Sequence, residues 1–184
     1  MITILLYNGR WPQEFNQIQA ALAAALGPLA LRIDHIGSTS VPGLGAKDVI
    51  DVQVTVTALS EDVRQALLAA GFQQFREAVS DHVPPGEDPA PEKWQKFLFV
   101  QPEGQRRANI HVRVEGRPNQ RYPLLFRDYL RAHPRSAQVV EIIKRELAKH
   151  HGDDVATYYD IKDPVYDLIW DAAQTWATCT GWTA

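Results

Sequence analysis

Apolar residues recur along the first third of the chain with two different periods. Phe15, Ile18, Leu22 and Leu26 follow one another at helical spacing behind Pro12, a residue suited to a first helical turn, until Gly27-Pro28 breaks the run. From Leu29 to Ile36 the pattern turns to alternation, with Leu29, Leu31 and Ile33 on one face of a predicted strand that runs into the turn Gly37-Ser38-Thr39-Ser40. Val41 to Lys47, carrying Pro42, Gly43 and Gly45, reads as a loop, and Val49 to Val56 as a second strand rich in β-branched residues. Its period of two places Ile50, Val52, Val54 and Val56 on a face turned to helices, and Asp51 with Gln53 on the other. Ser60 is placed to cap a helix through Val63, Leu67 and Ala70 that Gly71 closes, and Phe72 starts the next extended piece.

Between Ser80 and Lys93 the chain holds Pro84, Pro85, Pro89 and Pro91 with Glu87, Asp88 and Glu92, a composition that predicts an exposed, mobile loop. Trp94 to Val100 and Ala108 to Glu115 then pair as an antiparallel hairpin across Pro102-Glu103-Gly104. In the second strand Ile110, Val112 and Val114 face one way, and Asn109, His111, Arg113 and Glu115 the other. Three helical segments follow: Leu124 to Ala132; Ala137 to His150 with Val140, Ile143 and Leu147 as its apolar face; and Val155 to Trp176, which Pro164 should kink or split. A β-rich first part followed by helices predicts a single α+β domain over residues 1–184.

Composition narrows the role without naming it. With 45% hydrophobic residues in 184, the chain can bury a core without cross-links. A net charge of −3 argues against coating nucleic acid or an anionic membrane through the overall field. The single Cys179 allows neither an internal disulfide nor a thiolate zinc site, which fits a reducing cytoplasm. Met1 to Tyr7 is apolar but lacks a basic flank and a cleavage site, so an extended arm is expected rather than a targeting segment. No apolar stretch approaches the roughly 20 residues of a membrane helix, so a soluble protein without membrane contact is expected.

Candidate chemistry concentrates in His35-Ile36-Gly37-Ser38-Thr39-Ser40-Val41-Pro42-Gly43-Leu44-Gly45-Ala46-Lys47-Asp48-Val49-Ile50-Asp51, in Asn109-Ile110-His111-Val112 and in Leu125-Phe126-Arg127-Asp128-Tyr129-Leu130-Arg131. In this order the three runs closely resemble the GrpB family over most of the chain. That family resembles the nucleotidyltransferase superfamily, in which a Gly-Ser turn precedes a strand bearing two carboxylates one residue apart. The resemblance implies a nucleotidyltransferase-like mixed sheet flanked by helices with a helical C-terminal part, a nucleotide or other phosphate-bearing ligand, and nucleotidyl transfer to a hydroxyl or phosphate acceptor. GrpB-like domains also resemble the accessory portion fused to some bacterial dephospho-CoA kinases. A catalytically inactive accessory module linked to coenzyme A biosynthesis or a partner enzyme is therefore the competing reading. The chain has no Gly-x-x-x-x-Gly-Lys-Ser/Thr loop with which to act as that kinase itself.

The residue types support these assignments only in part. A tight turn at Gly37 leaves backbone N–H groups for phosphate oxygens, Ser38 or Thr39 can add a hydroxyl, and Lys47 a point charge. The bland alternative is a turn that merely reverses the chain. Asp51 is the expected catalytic carboxylate and ligand of Mg²⁺ or Mn²⁺, but Gln53 is neutral where a second acid belongs. The neighbouring strand offers Asn109, His111 and Arg113 instead of a third acid, and His111 and Arg113 suit a bound phosphate better than a metal. The expected ligand contacts are thus Gly37, Ser38, Thr39, Lys47, Gln53, His111 and Arg113, with an RNA end as the weaker alternative ligand. A two-His, one-carboxylate site from His35, His111 and Asp51 is a further option. Arg127, Arg131 and Arg135, four residues apart, read as a solvated helix stripe, and Trp94, Phe97, Phe99, Tyr122, Phe126 and Tyr129 as packing residues rather than base-stacking platforms.

Overall fold

In the computed structural model, which describes residues 1–75 and 79–184, the alternation of β2 (Ile50–Val56) sorts side chains onto two faces of a sheet. Ile50, Val52, Val54 and Val56 are fully buried beneath α1 (Trp11–Leu26) and α2 (Glu61–Ala69). The described residues form a five-stranded mixed sheet that also contains β1 (Arg32–Ile36), β3 (Gln73–Gln74), β4 (Phe97–Val100) and β5 (Ala108–Val114), in the order β1-β2-β5-β4-β3. β2 and β5 are parallel, and the remaining pairs are antiparallel. The β2–β5 register sets Asp51 beside Asn109 and Gln53 beside His111, so the polar faces of both strands coincide. Burying each large apolar side chain of the opposite face contributes about 1.5–3 kcal/mol. α2 starts as the sequence predicts, with Ser60 Oγ accepting from the Val63 N–H.

The chain then passes through the single turn α3 (Pro91–Trp94) and, after the β4–β5 hairpin, into α4 (Pro118–Ala132), α5 (Pro134–His151) and α6 (Val155–Thr180). These helices, with Val41 and Leu44, enclose a second apolar core around Leu125, Leu130, Val140 and Trp170. The amino-terminal arm lies extended, Leu5 bridging Ala46 and the Ile2 N–H donating to Gly152 O. No helix among the described residues is long and apolar enough to cross a membrane.

Three local expectations are corrected. β1 begins at Arg32 rather than Leu29, because Gly27–Leu29 form a 3-10 turn and leave Leu31 46% exposed. Trp94 belongs to α3 rather than to β4, where its buried indole donates to Asp88 O at 2.8 Å. Pro164 does not split α6, which continues as one helix to a left-handed cap at Gly181. The segment from Ser80 to Lys93 is largely exposed, as its composition predicts, and two acids tie it to the fold: Asp81 bonds Lys96, Arg113 and Asn119, and Glu87 accepts from Trp170 and Gln174 of α6.

Candidate functional site

Gly37 ends β1 with φ 68° and ψ −175°, a conformation open almost only to glycine. A Cβ there would stand 2.5 Å from Asp51 Oδ2, so the turn and the carboxylate of β2 share one tight corner. Ser38–Ser40 then make a 3-10 turn that is clasped from behind. Arg127 donates to His35 O at 3.0 Å and Arg131 to Ser40 O at 2.7 Å. Of the expected solvated arginine stripe, Arg131 and Arg135 stay exposed and Arg127 is drawn inward, and Arg127 with Arg131 braces the turn.

The polar face of the sheet and α6 enclose a cavity of about 870 Å³. Gly37, Ser38, Thr39, Lys47, Asp51, His111 and Arg113 all line it. Lys47 reaches across to Tyr159 of α6, donating to its hydroxyl, and Lys162 of α6 lies 3.9 Å from the Tyr166 ring centroid. Thr39 is 1% exposed and its Oγ1 lies 3.0 Å from His35 Nε2, so its hydroxyl is committed to the interior. His35 stacks on Phe15, and burial lowers its pKa to about 4, with Arg131 and Arg127 adding to the shift and Asp51 opposing it. With Nε2 engaged by Thr39 and its ring stacked on Phe15, His35 does not join His111 and Asp51 in the metal site considered above.

Asp51 Oδ1 accepts from Asn109 Nδ2 at 2.9 Å and lies 3.9 Å from His111 Nε2. Burial pushes its carboxyl up, but the donors His111 and Asn109 and the Lys47 charge outweigh that and hold it below the ordinary value. His111 Nδ1 faces Lys96 Nζ at 3.4 Å and Arg113 Nη2 at 3.3 Å. Two cationic donors at Nδ1 leave the imidazole proton on Nε2, the nitrogen turned to Asp51. Burial and then the Arg113 charge lower the His111 pKa, so the ring is neutral.

Gln53 does not reach the cavity. It is fully buried, its Oε1 accepting from Arg113 Nη1 at 2.8 Å and its Nε2 donating to Gln120 O at 2.9 Å. Gln53→Glu is accordingly expected to create no metal site and to lower stability by about 1–3 kcal/mol, because a carboxylate would face the Gln120 carbonyl where an N–H now donates. Metal titration with denaturant unfolding checks this, and a gain in Mn²⁺ affinity would refute it.

Two residues of the site are not among those the sequence singles out. Asp81, within the proline-rich segment, accepts from Arg113 Nε and Nη2, both at 2.8 Å, and from Lys96 Nζ at 2.7 Å. Lys144 of α5 donates to Ser38 Oγ at 3.0 Å and to Gly45 O at 2.7 Å. A faint signal for Lys144 existed, since Ala137, Val140, Lys144 and Leu147 make up the buried stripe of α5 and a lysine interrupts an otherwise apolar helical spacing. Among the described residues no group of three or more His, Cys, Asp or Glu side chains is arranged to hold a metal ion.

A family model described as GrpB protein matches residues 1–171. The chain belongs to the GrpB family. The crystal structure of the conserved protein GrpB from Enterococcus faecalis superimposes with a TM-score of 0.74 at 27% identity, covering 95% of this chain and 99% of that one. A dephospho-CoA kinase of Mycolicibacterium paratuberculosis is 34% identical over 186 residues, which are 94% of this GrpB chain and 46% of the kinase. This chain thus spans less than half the length of that relative. The UPF0157 protein BH1888 of Halalkalibacterium halodurans is 32% identical over 171 residues, 91% of this chain and 80% of that protein. The α+β class that the sequence predicts, a mixed sheet flanked by helices with a helical C-terminal part, is the architecture observed for this GrpB chain.

Proposed function

We propose that this GrpB-family chain binds a phosphate-bearing small molecule, a nucleotide or another polyphosphate, and serves as a binding or accessory module rather than as a two-metal nucleotidyltransferase. One observation carries the reading: Lys47, Lys144 and Lys162 come from three separate segments to line the same cavity as the Gly37-Ser38 turn. Lysine offers a compact point charge to phosphate oxygens, and the turn adds backbone N–H groups and the Ser38 hydroxyl. Arg113 and neutral His111 extend the donor surface along the sheet, beside Asp51.

The donor set argues against a pair of metal ions. Gln53 is occupied by Arg113, Asn109 donates into Asp51, and Asp81 is neutralised by Arg113 and Lys96. Asp51 could hold one Mg²⁺ or Mn²⁺ shared with ligand phosphates, where the ion would offset phosphate charge. The relative named dephospho-CoA kinase supports a link to coenzyme A biosynthesis, with coenzyme A precursors as candidate ligands. An exposed, unpaired Cys179 accords with a cytoplasmic setting.

The test is calorimetry with nucleoside triphosphates and coenzyme A precursors, with and without Mg²⁺ and Mn²⁺. Binding is expected in the absence of a divalent ion, and Lys47→Ala is expected to weaken it by about 1.5–3 kcal/mol as a charge-assisted contact is lost. Absence of binding by the wild type across the panel would remove the reading. Turnover of a triphosphate with release of pyrophosphate would replace it with the transferase reading.

A further inference from the structure

Lys144 is built into the wall of the cavity rather than laid over it. Its side chain is 4% exposed, yet its ammonium lines the cavity beside Ser38. An ammonium carries three donors, and Lys144 spends two of them on protein acceptors, Ser38 Oγ and Gly45 O. Both acceptors are neutral. On its own helix Glu141, the strongest of the neighbouring charges, accepts from the Gly45 N–H at 2.7 Å and from Arg145 Nε at 2.8 Å. From the segment before β2 comes Lys47, from β2 Asp51, and from α6 Lys162, itself paired with Asp163. The Tyr166 hydroxyl of α6 lies against Ser38. Burial lowers the Lys144 pKa to about 7, and of the neighbouring charges Lys162 and Lys47 deepen the shift while Glu141 and Asp51 oppose it.

A Cβ added at Gly45 would stand 2.7 Å from Leu5 O and 2.8 Å from the Glu141 carboxylate, so the arm, Gly45 and α5 are packed in contact beside Lys144.

We propose that Lys144, with Ser38, reads the end of a phosphate chain: the site selects a terminal, doubly charged phosphate over an internal or cyclic phosphodiester-like phosphate that carries one charge. The proposal rests on the phosphate-binding reading above and names the ligand end that the cavity takes. A terminal phosphate brings a second negative charge to a buried ammonium whose two protein acceptors are both neutral. Occupancy of the site then draws Lys144 fully into its ammonium form, so binding near neutral pH takes up a proton.

Linear tripolyphosphate, which has two ends, and cyclic trimetaphosphate, which has none, separate the possibilities without reference to any base. Calorimetry at pH 7.5, in two buffers of different ionisation enthalpy, gives affinity and proton count together. The linear ion is expected to bind at least about tenfold more tightly, with net proton uptake. Lys144→Met is expected to abolish both the preference and the uptake. Lys144→Arg, which keeps the charge but cannot shed a proton, is expected to keep the preference and lose the uptake. Lys47→Ala should weaken both ions while leaving the preference. Equal affinity for the two ions in the wild type overturns the role of Lys144 while phosphate binding stands, and so does a preference that survives in Lys144→Met. If neither ion binds, the phosphate reading falls and takes this one with it. Should Lys144→Met fail to fold, the wild-type and Lys144→Arg arms still decide the outcome.

Discussion

Replacing Asp81 by alanine is expected to lower the unfolding free energy by about 3–5 kcal/mol, the loss typical of a buried ion pair from which one partner is removed. Asp81 is the acceptor for Arg113 and Lys96, which are 5% and 8% exposed, and it also accepts from Asn119 Nδ2 at 3.1 Å. Without it two cations stand side by side in the interior. Burial raises the Asp81 carboxyl, but the charge and hydrogen bonds of Arg113, with the charge of Lys96, more than reverse this and hold it well below the usual carboxylate range. The folded value is thus below the unfolded one of about 3.9. The stabilisation is complete above the unfolded value and is lost as pH falls below it towards the folded value. Urea unfolding at pH 7 should therefore show the full deficit for Asp81→Ala and most of it for Asp81→Asn. On lowering the pH to 3 the wild type should lose more stability than Asp81→Asn does. An Asp81→Ala protein within 1 kcal/mol of wild type at pH 7 would show that the network is not a structural centre of the site.

Gly37→Ala should remove ligand binding and destabilise the fold together. The backbone conformation alone costs about 1–3 kcal/mol for a residue with a side chain, and the added methyl would meet Asp51 Oδ2 at 2.5 Å and Asp51 Cβ at 2.9 Å. Asp51 cannot retreat, because it is paired with Ile36 on one side and Asn109 on the other within the sheet. Either the turn opens and Ser38 leaves the cavity, or β2 shifts and the Asn109–Asp51 bond breaks. Gly9→Ala is the control, since a Cβ there meets nothing within 4 Å, and it should stay within about 0.5 kcal/mol of wild type. Retained phosphate binding in a well-folded Gly37→Ala protein would mean that the turn is not part of the site.

Strands and helices were legible wherever a single face had to be buried. The alternation in β2 and β5 predicts both the apolar floor and the polar face on which Asp51, His111 and Arg113 meet, and Ser60 marks the start of α2 by a contact three residues long. Legibility stopped where a side chain finds its partner far along the chain. Arg127 looks solvated by spacing, yet its acceptor is His35 O, 92 residues away. Lys144 and Ser38 are 106 residues apart, and Asp81 and Arg113 are 32 apart. Composition gives the exposed segment from Ser80 to Lys93 but not the anchoring of Asp81 within it to the buried cations Lys96 and Arg113. Gln53 shows the limit from the other side, since strand parity gives its face correctly but not that its amide is consumed by Arg113 and Gln120.

The two apolar cores described above have no residue in common, and between them lie the cavity and a layer of hydrogen bonds: Arg127 to His35 O, Gln53 to Gln120 O, Lys144 to Ser38. Such a joint is specific in its alignment but weak in cohesion, because exchanging protein contacts for water costs a polar boundary far less than it costs an apolar one. The sheet half and the helical half are thus coupled more loosely to each other than each is within itself. An anion seated among Lys47, Lys144 and Lys162 touches both halves at once, and at a hundredfold excess over its dissociation constant it adds about 2.7 kcal/mol to the folded state. If a phosphate ligand binds there as proposed, it would act as a third layer of the architecture, and unfolding would be more cooperative in the complex than in the free chain.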